Sequence, residues 1–183
     1  NDELRKSYIG DNWLKAKVRG TPHNTGDGLK MALDIGAVKH GLYNGCHATP
    51  MDLHMKNYGG LDLEPSERKN YRKICYFLGI MVNAKGKRFL DEGKNFRNYT
   101  YAQYGKRVLD QPNNFAWQVF DSKVFDLLYE EYRFHDAHFV EADTIDELIT
   151  KMEGVDKIET KKTINEFNDS VDINTSFDPT ILD

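Results

Sequence analysis

Cys75-Tyr76-Phe77-Leu78-Gly79-Ile80-Met81-Val82, then Asn83-Ala84-Lys85-Gly86, then Lys87-Arg88-Phe89-Leu90, is the stretch on which the fold turns. Its first eight residues lie in the longest apolar run of the chain and are rich in aromatic and branched side chains, which predicts a strand buried on both faces. Asn83 to Gly86 supplies turn residues, so Lys87 to Leu90 is predicted to return as a second strand. The run is far shorter than the ~20 residues a bilayer requires, which excludes it as a membrane span.

Downstream of this hairpin, Tyr101, Tyr104 and Val108 suit one helix face, and Phe115 to Phe120 suits a strand. Asp121-Ser122 can cap a helix that presents Val124, Leu127 and Leu128, with Glu131 following at helical spacing. Thr144-Ile145-Asp146-Glu147 is a capping box, opening a helix with Ile145, Leu148, Ile149 and Met152 on one side and Gly154 as its stop. A last helix is expected from about Lys161 to Val171, with Ile164, Phe167 and Val171 inward. Upstream, Thr25 to Ala37 predicts a short buried helix through Leu29, Ala32 and Leu33, capped by Asp27 or Thr25 and ended by Gly36. His40 to Pro65, rich in Gly, His, Asn and Tyr, reads as an ordered loop region. Helices and strands mix without βαβ alternation, so the fold class is α+β. Neither an internal repeat nor a linker-like shift in composition interrupts the chain.

At 183 residues the chain can bury roughly 70% of its unfolded surface and needs no disulfide or metal staple. With 39% hydrophobic and 30% charged residues it falls among folded globular chains, not disordered or fibrous ones. The net charge of −4, with acids and bases interspersed, gives no footprint for nucleic acid. The polar start Asn1-Asp2-Glu3-Leu4-Arg5-Lys6 is not a signal peptide, and Cys46 and Cys75 form no CxxC pair. Plain structural thiols and a cytoplasmic setting are therefore expected.

Several segments carry candidate chemistry. The glycine-bracketed start of the Thr25-Gly26-Asp27-Gly28 helix would offer N–H groups and a partial positive charge to a phosphate or an electron-rich ring edge. His135 and His138 share an i, i+3 spacing but have no third ligand at a suitable distance in sequence, so surface or capping histidines are expected and no metal site is assigned. No GxGxxG, Walker loop or GxSxG occurs. His47 with Thr49, and the stretch from Arg88 to Arg97, place cations and donors in ordered loops, a density that suits an anionic small molecule. A solvated hairpin in which Arg88 pairs with Asp91 or Glu92 is the alternative reading of the same charges.

Taken in order, TGDG at Thr25 to Gly28, the MAxxxGA stretch at Met31 to Ala37, CHAT at Cys46 to Thr49, and VNAKGKRFLDE at Val82 to Glu92 followed by Arg97 resemble the fumarate reductase and succinate dehydrogenase flavoprotein family. The wording RGTPHNTGDG at Arg19 to Gly28 and DEGxxFRNYTY at Asp91 to Tyr101 is most similar to its tricarballylate dehydrogenase-like members. The resemblance covers residues 19 to 101, and the tail from Glu141 to Asp183 is far less diagnostic.

In that family an FAD domain is interrupted by a capping domain that closes over the substrate. The resemblance implies that residues 1 to about 41 end the first FAD-domain segment and that 42 to 183 form most of the cap. The chain would then be a fragment, inactive by itself, with the missing FAD-domain segments as its partners. By the same resemblance Thr25, Gly26, Asp27 and Gly28 contact FAD, His47 holds a substrate carboxylate with Thr49, and Arg97 transfers the proton. Arg88 is a further substrate-binding candidate and a weaker alternative to Arg97. Ala48 stands where the family has proline, and Arg97 lies one residue further from Glu92 than in the fumarate reductases. Ser66-Glu67-Arg68 and Arg72 occupy the region of the family's Thr-Glu pair and following arginine, without a clean match.

The implied activity is FAD-dependent oxidation or reduction at the CH–CH bond of a di- or tricarboxylate, with hydride passing to flavin N5 and an electron acceptor reoxidising the flavin. Cations beside the carboxylates would stabilise the charge that develops. A cap-derived carboxylate-binding module without flavin, and a ketosteroid-dehydrogenase-like enzyme, are the alternatives. The latter should present a mainly aromatic and aliphatic site.

Overall fold

A computed structural model describes residues 1–56, 63–64 and 71–175. The fold is α+β, with a two-stranded antiparallel sheet among the described residues. These residues divide into two compact units. One is built from Asn1–His47 and the described part of Met55–Asn70, the other from Ala48–His54 and the described part of Tyr71–Asp183.

In the first unit, α1 (Asp2–Ile9) starts at Asn1, whose side chain accepts from the Leu4 N–H at 3.0 Å. Asp2 and Glu3 lie in its first turn and Lys6 in its last, complementing the helix dipole. It buries no residue, so apolar periodicity carried no sign of it. The chain then makes a 3₁₀ turn, Asp11–Lys15, that buries Trp13. The Arg5 guanidinium holds this turn through the carbonyls of Trp13 and, at 2.8 Å, Ala16. Helix α2 (Asp27–Asp34) follows, and Gly36 takes the positive φ expected after its end. The expectation of a buried helix is corrected here. Leu29, Ala32 and Leu33 are half-buried on one side, whereas Met31 and Ile35 are exposed and no residue of α2 is buried. Among the described residues of this unit, the cover over α2 is one-sided and encloses none of its side chains.

The second unit is organised on β1 (Ile80–Asn83), whose four residues are all buried. It pairs antiparallel with β2 (Ala116–Val119), Ile80 opposite Val119 and Asn83 opposite Ala116. Alternation sends Ile80 and Val82 to one face and Met81 to the other. On the first face they pack with Ile149 of α4 (Ile145–Lys151), Met152 and Ile164 of α5 (Lys157–Ser170). On the second, Met81 packs with Ile74, Tyr76 and Tyr104 of α3 (Tyr101–Leu109).

Three sequence expectations need correction in this unit. Cys75 to Leu78 is not strand: Tyr76–Leu78 is a 3₁₀ turn, and the strand begins after Gly79. A Cβ on Gly79 would stand 2.1 Å from the Val119 carbonyl oxygen, so the chain can enter the sheet this closely only at glycine. Lys87 to Leu90 is not a second strand either. Only an isolated bridge joins Val82 to Arg88, because the chain turns away and returns the Glu92 carboxylate to the Met81 N–H at 2.6 Å, where a strand would have placed a carbonyl. Finally, the helix expected after Asp121-Ser122 is two separate 3₁₀ turns, Ser122–Leu127 and Glu130–Tyr132. Leu128 and Tyr129 between them are extended, which lets Glu131 turn inward to Arg72 at 2.8 Å.

Both C-terminal helices are capped, the first by Thr144 as expected and the second by Asp156, which apolar spacing does not single out. The Thr144 hydroxyl accepts from the Glu147 N–H at 3.2 Å, and Asp156 accepts from the Glu159 N–H at 2.9 Å. The last helix therefore starts at Lys157, a turn earlier than read from its apolar residues, and Val171 lies exposed beyond its end.

Removing the Glu92 carboxylate should leave Arg88 and the Met81 N–H without their partner. A Glu92→Ala variant is expected to lose about 3 kcal/mol of unfolding free energy. Glu92→Gln, which keeps an acceptor for Met81, should lose less, and urea denaturation of the two variants measures the difference.

Candidate functional site

The TGDG turn lies in the first unit, at the start of α2. Gly26 caps the helix in the left-handed region at φ 93°, and a Cβ there would meet Leu4 Cδ1 at 2.4 Å. The Thr25 hydroxyl donates to Asp27 Oδ2 at 2.6 Å, and the Asn1 ammonium donates to the Thr25 carbonyl at 3.1 Å. Among the described residues nothing lies within 4 Å of a Cβ position on Gly28, which leaves the helix end open on that side. An acidic acceptor, a helix N-terminus and an open glycine make a donor–acceptor set that fits the polar edge of a flavin dinucleotide. His47 closes the same unit and is exposed, with its carbonyl accepting from Cys46 Sγ at 3.7 Å.

Thr49 and Arg97 belong to the second unit, and both are tied to the first half of α3. The Ala48 N–H donates to the Ala102 carbonyl at 2.9 Å, and the Gly105 N–H donates to the Ala48 carbonyl at 3.0 Å. This approach needs glycine, since a Cβ on Gly105 would stand 2.4 Å from the Ala48 carbonyl carbon. Thr49, half-buried beside this contact, directs its hydroxyl to Met51 Sδ at 3.5 Å.

Arg97 opens the 3₁₀ turn Arg97–Tyr99 that leads into α3. Its carbonyl accepts from the Thr100 N–H at 3.0 Å, and the buried Thr100 hydroxyl meets Tyr76 Oη at 2.7 Å. The half-buried Arg97 guanidinium lies 5.8 Å from the ring centre of Tyr101 and 5.7 Å from that of Tyr129. Among the described residues no carboxylate pairs with it. Its charge is nonetheless felt nearby. Burial pushes the Tyr76 hydroxyl and the Cys75 thiol up, and Arg97 opposes both shifts.

Arg88 is placed quite differently. Its guanidinium forks onto both oxygens of Glu92, with Nε at 3.1 Å from Oε2, and lies over the ring of Phe167 at 4.7 Å. Glu92 is only 4% exposed. Of the two readings of Arg88, the structure contains the one in which it pairs with Glu92 and holds the turn. Arg72 likewise donates to Glu131. Ser66-Glu67-Arg68 lie outside the described residues.

Both thiols are free, Cys46 exposed and Cys75 buried. Among the described residues no cluster of three metal-ligating side chains occurs, and no helix is long and apolar enough to cross a membrane. Sequence reading missed the tyrosines around Arg97, since Tyr101 and Tyr129 are 28 positions apart and share no pattern. It also missed Asp52, a buried carboxylate that accepts from the backbone N–H groups of His54 and His138 at 2.9 and 3.1 Å and faces Lys73 Nζ at 3.4 Å. No family model matches the chain, and no curated protein matches it.

Tyr104 couples this region to alkaline pH. Burial raises its hydroxyl from the ordinary 10 to about 12. The folded chain thus holds that proton more tightly than the unfolded chain, and the stability this gives is intact below pH 10 and lost as pH climbs to 12. Tyr71, raised to about 12 chiefly by its bond to Asp136, acts in the same direction. The expected result is falling stability across this window in pH-dependent denaturation. Tyr104→Phe should be less stable at neutral pH but show a shallower alkaline loss.

Proposed function

We propose that this chain is the substrate-closing part of an FAD-dependent oxidoreductase acting at the CH–CH bond of a di- or tricarboxylate, tricarballylate being the first candidate. The single observation that carries this reading is the state of Arg97. A half-buried guanidinium held between tyrosine rings, with no carboxylate neutralising it among the described residues, is a charge awaiting an anion. A planar carboxylate matches its fork, whereas a neutral sterol-like body would leave the charge uncompensated.

Within this reading flavin, when bound, would supply hydride acceptance. The rest falls to residues of the chain. Thr25, Gly26, Asp27 and Gly28 hold the cofactor's polar edge, with Asp27 as acceptor and the α2 N-terminus as donor. Arg97, on the turn that opens α3, receives a substrate carboxylate; the roles of His47 and Thr49 as carboxylate ligands come from the family resemblance. Arg97 stabilises the negative charge that builds up beside the carboxylate as the neighbouring carbon gives up its proton. Its part in moving that proton is taken from the family resemblance, since arginine is ordinarily a permanent cation. Arg88 serves this site indirectly, through the turn it holds with Glu92.

The test is to express the whole reading frame that encodes this chain and to follow flavin absorbance with tricarballylate added. Bleaching of bound flavin is expected, and Arg97→Ala should lower turnover at least about 1,000-fold while flavin stays bound. An Arg97→Ala enzyme that turns over normally would move the role elsewhere. A product that binds tricarballylate without flavin would replace the enzyme with a carboxylate-binding module.

A further inference from the structure

A cavity of about 960 Å³ lies within the second unit, between the Pro50–His54 segment, β2 and α4. It is at the upper end of the range for small-molecule sites. None of the residues assigned above to flavin or carboxylate lines it.

Its walls are aromatic. Trp117, Phe120, Phe125 and Phe139 face it, and Phe125 and Phe139 are 42% and 52% exposed although they are large apolar groups. The His138 ring continues this surface, 5.5 Å from Trp117 and 4.3 Å from His54. Tyr132 lies on another side, its ring edge-on to Phe120 at 5.6 Å. These walls already hold one cation: Lys73 Nζ lies 4.7 Å from the centre of the Tyr132 ring.

The rim is acidic. Asp121, Glu141, Asp143, Glu147 and Glu153 line the cavity against Lys73 and Lys151 alone. Lys73 is compensated by the buried Asp52 and donates to the Glu131 carbonyl at 2.7 Å. Lys151 is turned to the Glu141 carbonyl at 2.6 Å. Among the described residues, no ion pair engages the carboxylates of Glu141, Asp143 or Glu147. An anion entering here would meet uncompensated negative charge, while a cation would meet both carboxylates and ring faces.

We propose that this cavity is a binding site for an organic cation with an apolar or aromatic body, of the substituted-ammonium class. The cationic head lies towards Glu141, Asp143 and Glu147, and the body packs on Trp117, Phe120 and Phe139. The site is separate in position and opposite in charge preference from the carboxylate site at Arg97.

Calorimetric titration of the 183-residue chain with benzyltrimethylammonium, and with benzoate at the same ionic strength, tests this. Saturable binding of the ammonium is expected, with benzoate at least about tenfold weaker. Neutralising the rim by Glu141→Gln, Asp143→Asn and Glu147→Gln together should weaken ammonium binding about tenfold, and Phe139→Ala should weaken it several-fold. These positions are exposed, and circular dichroism verifies that the variants fold. Benzoate binding as tightly as the ammonium, an unchanged affinity in the neutralised variant, or no saturable binding of the ammonium would each overturn the proposal. The titration needs neither flavin nor tricarballylate, so it stands or falls apart from the enzymatic reading.

Discussion

A single buried carboxylate, that of Glu92, holds the second unit in register. One oxygen accepts the Met81 N–H, which would otherwise be a donor stranded in the core, and both receive the Arg88 fork. The intervening turn is fixed from within by Asn83, whose Oδ1 accepts from the Lys85 and Lys87 N–H groups. It is fixed from outside by α5. A Cβ on Gly86 would lie 2.5 Å from the Thr160 backbone nitrogen, and Thr163 donates to the Gly86 carbonyl at 2.6 Å. Gly86 also has a positive φ of 71°, so the turn conformation and the helix contact demand glycine for two separate reasons. One side chain thus replaces the strand that the sequence pattern suggested, and the turn it closes becomes the seat of the last helix.

The position of Arg97 follows from the same arrangement. Met81, held by Glu92, packs with Tyr76 and Tyr104, and the Tyr76 hydroxyl bonds to Thr100 three residues after Arg97. Tyr104 donates to the carbonyl of Asp91, the neighbour of Glu92. The loop between the two arginines is therefore pinned at both ends to the core, while its middle, Gly93 to Phe96, is exposed. Gly105 brings the Ala48–Thr49 backbone onto the same helix. Ala48 can lie against Ala102 and Gly105, more than fifty positions away, because α3 offers a surface without a Cβ at the point of contact.

What could be read from the sequence was what short-range chemistry determines. The caps at Thr144 and Asp121, the α3 face of Tyr101, Tyr104 and Val108, and the β2 segment are local, and each is present. The errors arose where a distant group decided the local conformation. Gly79 ended the apolar run early because β2 presses against it, Glu92 displaced a predicted strand, and Arg72 drew Glu131 out of a predicted helix. Apolar spacing also made α2 a buried helix, although hydrophobic periodicity says only which side could be covered, not that anything covers it. For the candidate site, residue types were legible and surroundings were not. Nothing in the spacing of Arg88 and Arg97 says which will find a carboxylate.

That difference between the two arginines is the main chemical content of the loop. Arg88 lies four residues before an acid on a closing turn, so its charge is cancelled internally and its planar fork becomes a strut. Arg97 lies on the far side of a glycine and an exposed bend, and the groups it reaches are tyrosine rings. Rings can accommodate a guanidinium without neutralising it, which keeps a formal positive charge half out of water and available to an incoming anion. The cavity at Trp117 is the converse, with ring faces bordered by carboxylates, of which Glu141, Asp143 and Glu147 take part in no ion pair among the described residues. Aromatic walls are common to both places, and it is the fixed charge beside them that sets which sign of ligand each can hold. If both proposals hold, a carboxylate at Arg97 and a cation beside Glu141 would each be repelled from the other's place, and neither would compete for the other's site.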